Sequence, residues 1–271
     1  MDHVEHFHFP TTAPQPRIGF ERQGTPQWKE WDRFLTIDGK RAYHLGNICG
    51  TCHFFFSKLE NANRTFSATE ISKRLEENKE LLDAGFLSFV SQIFPSDDYF
   101  VCQIRFKPKL VYPGDKTDYF SKECTDLFGV DGYYGVPHNP KTPYYRDSGI
   151  SLGEKRLLIN FIVPLHQPGT LDPKRVDYYI ERYGKGCVPG GLAISILDIE
   201  GPAILKEQAG PADTEHWCLA HYLIDGHHKI HAAAKLGKEC SLLCFISRKE
   251  SFGGDNALYT LSEAPSIVRP E

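Results

Sequence analysis

The sequence predicts an α/β or α+β protein, in which an N-terminal α+β region precedes an α/β domain. Near-continuous apolar runs alternate with helical patterns in the second half of the 271-residue chain, as in sheets with strands buried on both faces. In the first half, an amphipathic helix pattern precedes a stretch of alternating polar and apolar residues. The expected division is an α+β region over 1–135, an ordered connector rich in Gly, Pro and Tyr over 136–154, the α/β domain over 155–250 and a tail over 251–271.

The composition is that of an ordinary folded protein. Hydrophobic residues make up 41% of the chain and charged residues 24%, so a sizeable core is expected. The formal net charge of −4 gives no global attraction to nucleic acid or to anionic membranes, which bind basic surfaces. Residues 1–12 lack the features of a secretory signal, and no apolar run is long enough to span a bilayer. We therefore expect a cytoplasmic protein whose cysteines are mainly free thiols.

Three elements are expected in the N-terminal region. Trp28, Trp31 and Phe34 recur at a spacing that favours the buried stripe of a helix. A capping box opens a second helix, predicted over 68–84. Residues 99–111 alternate between polar and apolar types, which predicts a strand or one arm of a hairpin.

The pair Cys49 and Cys52 forms a Cys-x-x-Cys motif, and four interpretations of it stay open. With His53 it matches the attachment pattern of c-type haem, which normally accompanies export. Its place between a strand and a helix start suits a thioredoxin-like redox pair. The thiols could also simply pack at the start of an aromatic helix. The fourth interpretation is a Zn²⁺ site, with further ligands drawn from His44, His53, Cys102 and Cys124.

The C-terminal half alternates strands with helices. Asp172 followed by a proline is a strong helix start, because the carboxylate caps the first turn and proline fits its first position. The expected elements are a strand over 157–165, a helix over 172–183, strands over 191–199 and 216–224, a helix after Gly226 and a strand over 240–246.

The turn after the third of these strands carries the densest polar chemistry in the chain. Gly226 lets the chain turn sharply, and Gly237 stands where the following helix should end. The first N–H groups of that helix and the charge of Lys229 suit an anion, and a phosphate in particular. Three histidines and one carboxylate within residues 225–231 add groups for acid/base work or for a metal-bound phosphate.

This turn resembles the phosphate-binding motif of the ParB/sulfiredoxin-like superfamily. Members include the nucleotide-binding domain of chromosome-partitioning proteins, sulfiredoxin and small free-serine kinases. The similarity covers about residues 155–247. The residues that carry it are Leu223-Ile224-Asp225-Gly226-His227-His228-Lys229 and Ala232-Ala233-Ala234-Lys235-Leu236-Gly237.

The Asp-Gly-His-His form is most similar to the free-serine-kinase branch. That resemblance implies a nucleotide such as ATP or ADP, with Mg²⁺, and phosphoryl transfer or nucleotide hydrolysis as the reaction. It implies catalytic roles for Asp225, His227 and His228. The phosphates would be bound by Gly226, His227, His228 and Lys229.

The sequence departs from the branches of this superfamily at two places. The catalytic cysteine of sulfiredoxin would fall on His227, and the glutamate that follows the first strand in serine kinases is replaced by His166-Gln167. The alternative functions are therefore a non-catalytic nucleotide-sensing or protein-interaction module, and a zinc or thiol-redox protein that uses Cys49 and Cys52. The expected partner is a nucleotide or a phosphorylated small molecule, with neither membrane nor nucleic acid.

Overall fold

The structure of the protein is a computed structural model. The predictions for Trp28, Trp31, Cys49 and Cys52 lie outside the residues that it describes. The described residues are 5–9, 17–24, 26–27, 32–47, 57–58, 72–73, 75, 82–112, 114–118, 121, 143–153, 155–186, 190–200 and 215–268.

Strands outnumber helices in this part of the chain. The strands are β1 (Glu5–Phe9), β2 (Ile18–Gln23), β3 (Asp32–Ile37), β4 (Lys40–Asn47), β5 (Ser57–Lys58), β6 (Asp97–Phe106), β7 (Lys109–Val111), β8 (Tyr144–Arg146), β9 (Ile150–Ser151), β10 (Arg156–Pro164), β11 (Gly190–Glu200), β12 (Glu215–Asp225), β13 (Cys240–Ser247) and β14 (Ile267–Val268). The α-helices are α1 (Ala84–Val90), α2 (Pro173–Gly184), α3 (His227–Leu236) and α4 (Gly254–Ser262).

Within the described residues, ten strands form a large sheet and four form a small one. The large sheet has the order β1-β6-β13-β11-β12-β10-β8-β7, with β14 also beside β6 and β9 also beside β10. The small sheet has the order β2-β3-β4-β5. In the large sheet, β10 pairs with β12 and β11 with β13 in parallel, whereas β11 and β12 are antiparallel. The chain is thus a mixed α/β protein built on a large mixed sheet, which confirms the coarse prediction.

The elements predicted around the motif are confirmed. Asp172 caps α2 by accepting a hydrogen bond from the Lys174 N–H at 3.0 Å, and Gly237 ends α3 in the left-handed region at φ 57°. Strands β10, β11, β12 and β13 correspond to the runs at 157–165, 191–199, 216–224 and 240–246, and the alternation over 99–111 gives most of β6 together with β7.

One prediction in the N-terminal region is wrong, and a second holds only in part. Phe34 lies in β3, where it pairs across the small sheet with Glu21 and His44, so the aromatic spacing there does not mark a helix. Of the helix predicted over 68–84, the described residues Ser72, Lys73 and Leu75 are helical, but the helix does not extend to residue 84, because 82 and 83 are not helical. Instead, α1 begins at Ala84, because the Asp83 carboxylate accepts the Phe86 N–H at 2.7 Å and so caps a new helix.

The large sheet takes strands from both sides of the predicted connector. Strand β6 pairs with β13 along its length, from Phe106 opposite Cys240 to Tyr99 opposite Ser247. The prediction that 251–271 is a surface tail is wrong. Helix α4 lies in this segment and buries Leu258 and Leu261, and β14 pairs with β6.

Apolar side chains cover both faces of the large sheet. On one face they pack against the small sheet and α1, through residues such as Leu35, Tyr43 and Phe86. On the other face they pack against α2, α3 and α4, through residues such as Tyr179 and Ile230. Among the described residues, no helix is long and apolar enough to cross a bilayer.

The predicted turn depends on a close approach of two backbones. Gly226 has φ 105°, and a Cβ built on it would lie 2.8 Å from the Cα of Gly191. A Cβ on Gly191 would in turn lie 2.8 Å from the carbonyl oxygen of Asp225. Beside this contact the β11/β12 register shifts between Leu192 and Ala193, which is a bulge or similar irregularity at the strand end. A side chain at either glycine would therefore move the end of β12.

We expect Gly226→Ala to lower the free energy of unfolding by more than about 3 kcal/mol, because backbone strain and a backbone clash act together. Gly237→Ala is the matched control, since its Cβ would only touch the flexible Lys107 side chain at 3.5 Å. Its expected cost is about 1 kcal/mol, from the left-handed backbone alone. Urea unfolding of the two variants measures the difference. Equal losses would contradict the proposed role of the Gly191 contact.

Candidate functional site

The motif lies where β12 ends and α3 begins. Strand β10 runs parallel to β12, so Pro164 and Asp225 bring the carboxyl ends of both strands to the same edge of the sheet. The segment after β10 leads through a short 3₁₀ turn, Pro168–Thr170, to the start of α2. In open α/β sheets such an edge is the usual place for a ligand.

The carboxylate of Asp225 is buried and engaged on both oxygens. Oδ1 accepts a hydrogen bond from the Ser72 hydroxyl at 2.7 Å, and Oδ2 accepts one from the Lys229 ammonium at 3.2 Å. The Lys229 side chain is itself buried and also lies over the Tyr179 ring, 5.8 Å from its centroid. The lysine predicted to bind phosphate is therefore directed into the protein, toward its own carboxylate.

His227 is oriented by the backbone that follows β10. Its Nε2 accepts the Leu165 N–H at 3.0 Å, so Nε2 carries the lone pair and the imidazole is neutral with its hydrogen on Nδ1. The His166 ring packs against it edge to face, with 4.7 Å between the centroids. His227 thus connects the first strand of the predicted domain to the motif.

His228 connects the starts of two helices. Its Nε2 accepts the Asp172 N–H at 3.3 Å, which brings the N-terminus of α2 to that of α3. The side chain is half-buried, and burial, followed by the nearby Arg175 charge, lowers the pKa of His228 below its ordinary value. His228 is therefore partly open to solvent, with Arg175 on one side and the carboxylates of Asp172 and Asp225 acting on its pKa in the opposite direction.

The first turns of both helices are basic. Acidic residues are favoured at this end of a helix by the macrodipole, yet neither α2 nor α3 has one in its first turn. Lys174 and Arg175 occupy that turn of α2, and His228 and Lys229 that of α3. Asp172, the exposed N-cap of α2, places one carboxylate at this helix start. The positive ends of two helices thus share one edge, with Lys174 and Arg175 beside it and Lys229 paired to Asp225.

The structure places the predicted site residues together but gives them different surroundings. Asp225, His227 and Lys229 are buried and bonded to protein groups, whereas His228 is half-exposed. His231, one turn further along α3, bonds the Tyr145 hydroxyl through Nδ1 at 3.0 Å. Two contributors that the motif did not reveal are Ser72 and Arg175, which reach the site from distant parts of the chain.

The donors around Asp225 do not fit a Mg²⁺ ion held by the protein. Both of its oxygens already accept hydrogen bonds, and Mg²⁺ requires a near-ideal octahedral set of oxygen ligands. The described residues also contain no group of three or more His, Cys, Asp and Glu side chains able to hold a metal ion. Of the suggested Zn²⁺ ligands, His44 bonds Asp32 at 3.0 Å and Cys102 is buried as a free thiol.

Comparisons with known proteins give no further assignment. No family model, no curated protein and no solved structure matches the chain. The similarity to the ParB/sulfiredoxin-like superfamily therefore rests on the motif and on the order of elements around it.

A second polar group, not found from the sequence, crosses the large sheet beneath the helices. Asp147, which follows β8, accepts the Asn160 side-chain N–H at 2.5 Å, so Asn160 presents its oxygen to His221 Nε2 at 3.1 Å. His221 Nε2 must then carry the hydrogen. Its Nδ1 is left as an acceptor for the Ser195 hydroxyl at 2.8 Å and lies 3.3 Å from the Cys244 sulfur. We call Asp147, Asn160, His221, Ser195 and Cys244 the polar row.

The buried ion pair predicts a large effect of Lys229→Met. Removing the ammonium leaves a buried carboxylate with one partner fewer, so the free energy of unfolding should fall by about 3–5 kcal/mol. Lys235→Met, on an exposed position of the same helix, should change it by less than about 0.5 kcal/mol. Chemical denaturation compares the two. A loss under 1 kcal/mol in Lys229→Met would mean that the pair is not formed in solution.

The polar row predicts a pH dependence of stability. Burial lowers the pKa of His221 from 6.5 to about 3, so the unfolded chain binds this proton below pH 6.5 while the folded protein does not. The free energy of unfolding should therefore fall by about 1.4 kcal/mol per pH unit as the pH drops from 6.5 toward 3. Carboxylates also titrate there, so wild type is compared with His221→Gln.

In His221→Gln the amide can replace both hydrogen bonds without titrating, and this part of the slope should disappear. His8→Gln, at an exposed histidine, should keep the slope of the wild type. Urea unfolding at pH 7, 6, 5 and 4 gives the three curves. The same slope in all of them would show that His221 takes up its proton in the folded state.

Proposed function

We propose that the chain binds the phosphate group of a nucleotide or of another phosphorylated molecule at the N-terminus of α3. The observation that carries this proposal is the hydrogen bond from the Asp172 N–H to His228, which brings the N-termini of two helices together. The first intrahelical bond of α3 runs from the Ile230 N–H to Gly226, so the N–H groups before it are directed to that edge.

Three features support an anion at this place. The macrodipoles of α2 and α3 both favour negative charge there. The first turn of α2 carries Lys174 and Arg175 where acidic residues are usual, so positive charge is available there for an anion. His228 is half-exposed and has Nδ1 as a donor, because Nε2 accepts the bond from the backbone.

We also propose a ParB/sulfiredoxin-like fold for residues 155–250. Its support is the succession of β10, α2, β11, β12, α3 and β13, together with the left-handed Gly226 between β12 and α3. Strand β6, from the N-terminal region, extends the same sheet beyond β13.

Binding without catalysis agrees better with the geometry than phosphoryl transfer does. A catalytic Asp225 would have to contact a substrate hydroxyl or a metal ion, but Ser72 and Lys229 occupy its two oxygens. The position after β10, where serine kinases carry a glutamate, holds His166-Gln167. The protein is therefore proposed to be a sensor or binding module rather than a phosphotransferase. The zinc or thiol-redox alternative concerns Cys49 and Cys52, outside the described residues, and stays a hypothesis.

The proposal is tested by calorimetric titration with inorganic phosphate, ADP and ATP. The two nucleotides are added together with Mg²⁺. We expect a micromolar dissociation constant for at least one of these compounds. His228→Ala and Arg175→Ala should each weaken binding about tenfold, which is about 1.4 kcal/mol, through the loss of a charged or polar contact to the phosphate. Raising the salt concentration should weaken binding further.

His231→Ala is the matched control, because this histidine is half-buried on the same helix and bonds Tyr145. Its affinity should equal that of the wild type. Equal weakening in His231→Ala and His228→Ala, or no binding of any compound, would refute the site. Analysis of the ATP samples for ADP distinguishes the alternatives, because hydrolysis that is lost in Asp225→Ala would establish a catalytic function.

A further inference from the structure

Two cysteines lie side by side at one end of the polar row. Cys102 in β6 is directly opposite Cys244 in the antiparallel strand β13, and both side chains are fully buried. Cys244 belongs to the polar row, in which its sulfur lies 3.3 Å from His221 Nδ1. The row therefore ends in a pair of thiols next to an imidazole.

The register gives this pair the geometry of a disulfide. Directly opposed residues of antiparallel strands have Cα atoms about 4.5–5.5 Å apart, and a disulfide accepts about 4.4–6.8 Å. Opposed side chains also lie on the same face of a sheet. The two thiols are close enough for Cys102 to raise the pKa of Cys244, after burial, which is the main cause. The sulfurs can therefore be joined without moving either strand.

The polar row places a hydrogen-bond donor for the thiolate beside Cys244. The Cys244 sulfur lies 3.3 Å from His221 Nδ1, and its thiol also donates to the Leu242 carbonyl at 3.4 Å. Burial holds the pKa of His221 at about 3, so this imidazole stays neutral and does not take up the thiol proton. The Ser195 hydroxyl can rotate from His221 to Cys244, where its hydrogen bond opposes the effect of burial on the pKa of that thiol.

We propose that Cys102 and Cys244 are an oxidative modification site, which a two-electron oxidant such as hydrogen peroxide converts into a reversible cross-strand disulfide. When β6 opens locally from β13, the Cys244 thiol gives its proton to water, and the thiolate attacks one peroxide oxygen as the O–O bond breaks. The leaving hydroxide takes a proton from the solvent and departs as water. Cys102 then attacks the resulting sulfenic sulfur, the S–O bond breaks, and a second water leaves with the Cys102 proton.

The sum of these steps is two thiols and one peroxide converted into one disulfide and two waters. Burial raises the pKa of Cys244 well above its ordinary value, so the reaction should be slower than that of exposed thiols and should follow local opening of β6 from β13. The product would cross-link β6, from the predicted N-terminal region, to the last strand of the predicted α/β domain.

The full-length protein is treated with hydrogen peroxide, quenched, unfolded and alkylated, and its peptides are mapped by mass spectrometry without reduction. We expect a peptide pair linked through Cys102 and Cys244, which dithiothreitol separates. Cys218→Ala is the matched control, because Cys218 is equally buried but lies among the apolar residues of the other face. It should leave the linked pair unchanged, and Cys102→Ala should abolish it.

Ser195→Ala tests the role of the donor and should slow formation of the linked pair about tenfold, through the loss of one hydrogen bond to the thiolate. The wild-type map does not depend on whether the variants fold. The proposal is overturned if Cys102 and Cys244 remain alkylatable after oxidation, or if they form disulfides only with other cysteines of the chain. An unchanged rate in Ser195→Ala would overturn the assignment of the donor.

Discussion

The contact between the Gly226 and Gly191 backbones is the constraint on which the candidate site depends. No Cβ fits between the two backbones, so both positions need glycine. Strand β12 ends at Asp225, and Gly226 directly after it can adopt φ 105° because it has no side chain. The chain then reverses into α3 with its N-terminus at the edge shared with β10. The place of the basic helix starts thus follows from two glycines that carry no chemistry of their own.

One buried ion pair and one hydrogen bond to a second buried pair attach the N-terminal region to this frame. Ser72 reaches Asp225, whose carboxylate also holds Lys229, and Arg33 of the small sheet reaches Asp198 in β11 at 2.8 Å. Buried pairs contribute little net stability, since desolvation offsets the attraction, but removing one partner is costly. Their effect is therefore to fix one arrangement of the two sheets, because any other would leave a charge buried alone.

The elements around the motif could be predicted because their causes are local. Gly226, the alanines of α3 and Gly237 determine a turn, a helix and its end within a few residues of sequence. Asp225 and Lys229 are four residues apart across the turn, so even their ion pair was open to prediction from spacing. Ser72 and Arg175 could not be assigned to the site, since only the fold brings them there.

The errors in the N-terminal region and in the C-terminal segment arise because contacts between distant residues, rather than the local sequence, determine these elements. The spacing that ends at Phe34 suits a helix, but pairing with β2 and β4 outweighs this weak local preference. In α4, Leu258 and Leu261 have helical spacing, yet the polar residues around them gave no sign that the segment returns to the sheet. They belong to a core cluster that also contains Cys102, Ile104 and Phe106 of β6, which lies far away in the sequence.

The polar row connects stability to the site through the strand register. Ser195 and His221 are directly opposed in β11 and β12, and a slip by one residue would move one of them to the other face of the sheet. His221 and Asn160 would then be buried without partners, at a cost of about 1–3 kcal/mol for each group. The irregularity between Leu192 and Ala193 shifts this register by one residue, which brings Leu192 opposite Asp225 and Gly191 beside Gly226. The buried hydrogen bonds in the middle of the sheet, together with this shift, therefore select the alignment that places the helix start of α3 at its edge.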